Sequence, residues 1–210
     1  MLRNGKPWVR ALLGALLLAF AASIVTTLGC ATVRYEDYSK LGNPRKEEYT
    51  IGVADVLRVQ VWKMKEVDAD VKVRPDGNVT VPLIGEIKAK GRTAAQLQVD
   101  IAAKLKAFVK DENPVVTVAV IEVNSYTVTV AGKVARPGMH VLRNYVTVSE
   151  AIALSGGPTI YAKADEVVII RTWKTDKRPK RIPVQYQKIL EGIAPEQDFV
   201  LYPGDTVYMP

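Results

Sequence analysis

Arg74-Pro-Asp-Gly-Asn-Val-Thr-Val-Pro-Leu-Ile-Gly-Glu-Ile-Lys-Ala-Lys-Gly-Arg-Thr93 is the stretch whose reading decides the fold. Just before it, Val71, Val73 and Pro75 fall on one side of an extended segment, with Asp70, Lys72 and Arg74 on the other. Asp76-Gly77-Asn78 reads as a turn, because Asp can cap its own backbone and Gly takes positive φ without a Cβ clash. Val79 and Val81 restart the two-residue alternation of a half-buried strand. Pro82 removes a ladder donor, so that strand ends there or lies at an edge. After Gly91 the period changes. Thr93 and Gln96 have capping-box spacing. Leu97, Ile101, Leu105 and Phe108 follow at helical spacing. Asp111-Glu112-Asn113-Pro114 stops the helix, and Val116, Val118 and Val120 open another alternating strand. The unit is strand–turn–strand–helix–strand, with one apolar helix face to lay on a small sheet.

Upstream, Gly52 to Asp55 reads as a turn into a strand over Val56 to Trp62. Trp62 has an aromatic face suited to the C–H face of a pyranose, but packing in the core is the reading adopted for it. Downstream, Tyr126, Val128 and Val130 alternate as in a strand, and Pro137-Gly138 is a turn pair. Thr147-Val-Ser-Glu150 is a second capping box. It opens a helix over Val148 to Ser155, closed by Gly156-Gly157-Pro158. Val167 to Arg171 is a strand, and Leu201 to Pro210 reads as a turn and a last strand. Pro203-Gly-Asp-Thr-Val echoes Val53-Ala-Asp-Val-Leu, the same turn-into-strand device used twice.

The first thirty residues differ from the rest. Arg3, Lys6 and Arg10 precede an uncharged apolar run from Ala11 to Leu28, and the chain's one cysteine, Cys30, follows. A basic start, an apolar core and small residues before a cut describe an export signal. A cysteine at the cut implies a bacterial lipoprotein lipidated on Cys30. Leu28 stands one position later than such signals place it, and an uncleaved anchor is the alternative, since about 18 apolar residues just span a bilayer. Ala31 after the cysteine points to the outer membrane. Residues 1–29 are thus read as signal and 30–46 as a polar tether.

The whole chain carries +7. Without the signal it has 26 basic against 22 acidic residues, a surplus too modest to argue for nucleic acid. Arg171, Lys174, Lys177, Arg178, Lys180 and Arg181 form a basic run suited to acidic polymer, lipid headgroups or an acidic partner, against the plainer reading of a solvated loop. No catalytic site is expected. His140 is the sole histidine, no Gly-x-Ser-x-Gly elbow or phosphate loop is present, and Asp55, Asp76 and Asp205 each sit beside a turn. No metal or cofactor is expected either.

The runs RPDG, VPLIGEIKAKGRT and NPVVTVAV, preceded by Ile51-Gly-Val-Ala-Asp-Val-Leu57, resemble the polysaccharide export domain of Wza-type outer-membrane polysaccharide exporters. Ala54 stands where that family usually has Gly. VAGKVARPGMHVL, TVSEAIALSGG, VVIIR and LYPGDTVYMP resemble the SLBB (soluble-ligand-binding β-grasp) domain that follows it. The resemblance implies an α+β chain: an export domain over 47–123 with one packed helix, then a β-grasp-like SLBB domain over 124–210. It implies a non-enzymatic, periplasm-facing outer-membrane lipoprotein in a capsule or exopolysaccharide conduit, working as a ring of identical subunits. The partners it implies are the polysaccharide, other copies of the chain and an inner-membrane polysaccharide co-polymerase. Larger members carry a C-terminal amphipathic helix that lines the pore. This sequence shows none after its final strand, so a separate outer-membrane β-barrel is the further expected partner. The alternative is a periplasmic sugar-binding lipoprotein that forms no conduit.

Overall fold

Leu57, Val59 and Val61 are buried while Arg58 and Gln60 are exposed, and this alternation builds strand β1, Val56–Val61. The computed structural model describes residues 37–109, 113–172 and 178–210. In it, β1 is the centre of a three-stranded antiparallel sheet, between β2 (Ala69–Lys72) and β5 (Val116–Glu122). A separate two-stranded hairpin joins β3 (Asn78–Val81) to β4 (Gly85–Lys88). Helix α1, Ala94–Leu105, lays Leu97, Ile101 and Leu105 into the core that these strands share. Its capping box is complete. The Thr93 hydroxyl accepts from Gln96 N, and the Gln96 side chain accepts from Thr93 N.

Two local expectations change here. The Asp76–Gly77 turn forms, with Asp76 accepting from Asn78 N at 3.0 Å, but it does not pair the strands on either side of it. β2 pairs with β1, and β3 turns at Pro82–Ile84 to meet β4. β4 has a single buried side chain, Ile87, so it offers no alternation to read. The helix also ends at Leu105, and Phe108 is 56% exposed in the turn beyond it.

The second half is a five-stranded mixed sheet of order β7-β6-β10-β8-β9. Its strands are β6 (Thr127–Gly132), β7 (Gly138–Val141), β8 (Val167–Arg171), β9 (Lys180–Val184) and β10 (Thr206–Met209). The first and last strands of this half, β6 and β10, pair in parallel at its centre. That pairing is tight. A Cβ on Gly132, whose φ is +92°, would lie 2.0 Å from the Met209 carbonyl oxygen, so only glycine fits there. Helix α2, Val148–Leu154, covers the sheet with Val148, Ala151 and Ile152, and the Thr147–Glu150 capping box is present. A short helix α3, Tyr186–Leu190, follows β9. The architecture is mixed α+β, as expected.

The tether reading of 30–46 is corrected from Asp37 onward. Two short 3-10 turns, Tyr38–Leu41 and Pro44–Lys46, lie against the second half. Leu41 is buried in its core. Tyr38 stacks on Phe199 with ring centroids 6.0 Å apart and donates to the Pro183 carbonyl at 2.6 Å. Arg45 donates to the Tyr145 carbonyl at 2.8 Å. The polar composition hid three apolar anchors, Tyr38, Leu41 and Pro44, with no period to betray them.

Candidate functional site

Two aspartates organise the molecule, and they sit in the same local structure. Asp55 is fully buried where the halves meet. Its Oδ1 accepts from Asn124 N and Ser125 N, both at 2.8 Å. Its Oδ2 accepts from Gly52 N at 2.8 Å, Tyr49 Oη at 2.5 Å and Ser125 Oγ at 3.0 Å. One carboxylate therefore ties the turn before β1 to the segment between β5 and β6. Charge-assisted hydrogen bonds are roughly twice as strong as neutral ones, so this node is stiff. Burial, then the Asp55 hydrogen bond, raises the Tyr49 phenol well above its ordinary range and keeps it a donor.

Asp205 repeats the device. It accepts from Tyr202 N, three residues before it, as Asp55 does from Gly52 N. The residue before each aspartate has positive φ, +73° at Ala54 and +87° at Gly204. The exchange of Gly for Ala at position 54 thus leaves the turn intact and places an L-residue in left-handed backbone.

The partner of Asp205 corrects the basic-run reading. Arg171 is 2% exposed and is no surface contact. Its Nε donates to both Asp205 oxygens at 2.9 and 3.0 Å, and its Nη2 to Oδ2 at 2.6 Å. Nη1 donates to the Leu41 carbonyl at 3.1 Å, and the guanidinium lies 4.5 Å from the centroid of the Tyr202 ring. Burial raises the Asp205 carboxyl above the usual carboxylate range, against the downward pull of Arg171. The sequence carried the signal: Val167, Ile169 and Arg171 share one face of β8, and that face is the core. Arg178, Lys180 and Arg181 are exposed, the last two on edge strand β9. Lys174 and Lys177 lie outside the described residues.

Trp62 is also corrected. It follows the last residue of β1 on the outward side of the alternation and is 72% exposed. His140 meets Ser155 Oγ at 3.0 Å, but that hydroxyl is fully buried and donates to the Ala151 carbonyl one helical turn back. The pair braces β7 against the end of α2. Asp76 bonds its own turn and an exposed Arg74.

Sequence reasoning missed a cleft of about 610 Å³ beside the Asp55 node. Tyr49, Tyr145, Tyr202, Glu47, Glu48 and Lys90 line it, drawn from both halves and from the segment before β1. Tyr202 Oη donates to Glu47, and burial followed by that carboxylate pushes the Tyr202 phenol up to about 12. Burial also raises Tyr145. Their positions, 47–49, 90, 145 and 202, are too scattered along the chain for any motif to gather.

Comparison with known proteins gives the same order of parts. A family model described as polysaccharide biosynthesis/export protein matches residues 43–121, and one described as SLBB domain matches 127–184. The chain is 32% identical over 124 residues to the exopolysaccharide production protein ExoF of Rhizobium meliloti (strain 1021), covering 54% of this chain and 29% of that protein. It is 25% identical over 177 residues to the capsule polysaccharide export protein BexD of Haemophilus influenzae, covering 75% of this chain and 42% of the relative. To the EPS I polysaccharide export outer membrane protein EpsA of Ralstonia solanacearum it is 28% identical over 133 residues, covering 52% and 35%. In each case the match spans less than half of the relative's length.

Proposed function

Because the chain belongs to the polysaccharide biosynthesis/export family, with an SLBB domain after its export domain, we propose that it is a non-enzymatic component of a capsule or exopolysaccharide export machine. The observation that carries this is the unbroken order of the two matched domains, on halves locked together through Asp55. In this reading Cys30 is lipidated, the protein is anchored in the outer membrane, and its folded part faces the periplasm. Copies of the chain form a ring. Cyclic symmetry repeats one heterologous interface until it closes, and the enclosed space gives a hydrophilic polymer a wet path. An inner-membrane polysaccharide co-polymerase would meet one end of the conduit, and a separate outer-membrane β-barrel would continue it at the other. Arg178, Lys180 and Arg181 are the proposed contact for acidic groups of the polymer or a partner, with Lys174 and Lys177 extending that run in sequence.

The deciding experiment deletes the gene and measures polymer at the cell surface and in the periplasm, with a complemented strain beside it. Loss from the surface, restored by complementation, is the expected result. Unchanged surface polymer in a strain with no second copy would overturn the proposal. Sedimentation of the detergent-solubilised full chain separates the conduit from a solitary sugar binder: a closed homo-oligomer supports the first and a monomer the second.

A further inference from the structure

The cleft beside the Asp55 node has both the size and the fixed walls that a ligand site needs. Its volume, about 610 Å³, lies within the range of about 300–1,000 Å³ usual for small-molecule sites. Its walls are held before any ligand arrives. The Tyr49 hydroxyl is held by Asp55 and Ser125, and the Tyr202 hydroxyl by Glu47, so both rings are fixed. A Cβ on Gly42 would lie 2.6 Å from Tyr202 Oη, so the chain before β1 closes tightly behind that ring. The Tyr145 hydroxyl, the Glu48 carboxylate and the Lys90 ammonium make no hydrogen bond or ion pair among the described residues.

Half-buried aromatic rings next to unengaged acceptors and a donor match one ligand chemistry well. A pyranose has an apolar C–H face to lie on a tyrosine and a rim of hydroxyls to meet carboxylate, phenol and ammonium. Two carboxylates against one ammonium make the cleft net negative, which repels uronate or sulfate groups. From this geometry we infer that the cleft is a subsite for one or two neutral pyranose units of a glycan chain, distinct from the exposed basic edge of β9. The inference rests on the export reading only in taking the exported polymer as the natural source of those units.

The test is saturation-transfer NMR and calorimetry on the full chain in detergent, with cellohexaose and maltohexaose as neutral probes and hexagalacturonate as the acidic one. At least one neutral hexaose binds with Kd on the order of 1 mM, and the acidic probe binds about tenfold more weakly. Thr50, an exposed residue of the cleft wall, is replaced to fill the space. Thr50→Trp weakens neutral binding about tenfold or more while the melting curve is unchanged. Glu48→Lys, at another exposed position, narrows the preference against hexagalacturonate. Absence of binding by both neutral probes, binding indifferent to both substitutions, or tighter binding of the acidic probe would overturn the inference. Should no probe bind while the deletion strain still loses surface polymer, the subsite fails and the export reading stands. Should the deletion strain keep its polymer while the probes bind, the reverse holds.

Discussion

Ala54 and Gly204 occupy equivalent positions in two copies of one turn, and only one of them is a glycine. Ala54 has φ +73°, and Gly204 has φ +87° with nothing within 4 Å of where a Cβ would stand. Left-handed backbone costs an L-residue about 1–2 kcal/mol. Glycine gives back about 0.5–1 kcal/mol through the greater freedom it loses on folding. The difference predicts that Ala54→Gly stabilises the protein by about 0.5–1 kcal/mol, and that Gly204→Ala destabilises it by a similar amount. The hydrogen bonds of Ala54 use backbone only, N–H to the Val73 carbonyl and C=O from Asn124 Nδ2, so both survive the change. Urea unfolding of both variants checks this, read as a shift in midpoint at constant slope. For a chain of this size each kcal/mol moves Tm by about 2–4 °C. An Ala54→Gly variant no more stable than the parent would refute the claim that residue 54 is strained.

Arg171→Met strands the buried Asp205 carboxylate and is expected to cost about 3–5 kcal/mol in denaturant unfolding. A loss below about 1 kcal/mol would place the pair in water rather than in the core. Leu41→Ala empties a buried position in the second core and is expected to cost about 2–5 kcal/mol, where a substitution in a free tether would cost nothing measurable. Tyr202 has a folded pKa of about 12 against an ordinary 10.0, so its stabilising contribution is full below pH 10 and is lost as pH rises toward 12. The tyrosinate absorbance of the parent minus that of Tyr202→Phe should therefore rise with a midpoint near 12, and a midpoint near 10 would show that the phenol is neither buried nor held by Glu47 in solution.

Where periodicity and capping chemistry are local, the fold was legible. Both capping boxes form at Thr93–Gln96 and Thr147–Glu150, and the alternating valines of β1, β5 and β6 point inward as read. Strands with one inward side chain, such as β4, or with a proline and two cations, such as β9, gave no pattern to read. Their existence depends on a neighbouring strand rather than on their own residues. The candidate site was legible only in part. Proximity in sequence suggested that Arg171 joins the lysines and arginines after it. Position on β8 overrides that, because the core-facing side of the strand includes residue 171. The cleft could not be read at all, since the tertiary fold alone brings Tyr49, Tyr145 and Tyr202 together.

The segment before β1 explains why the two halves behave as one piece. Leu41 and Tyr38 belong to the second core, although the whole first half lies between them and that core in sequence. From Asp37 the chain packs on the second half, leaves through Glu47 and Tyr49 to build the first, and returns through Asn124 and Ser125 to the carboxylate of Asp55. Outgoing and returning strands of the chain are thus bound at one node, and a bend there must break several charge-assisted hydrogen bonds at once. A subunit hinged by a bare linker could not hold a fixed angle between its domains. One clamped in this way can, and a repeated interface closes into a ring only when every copy presents the same angle. The Asp55 node is therefore where stability of the single chain and geometry of the proposed assembly meet.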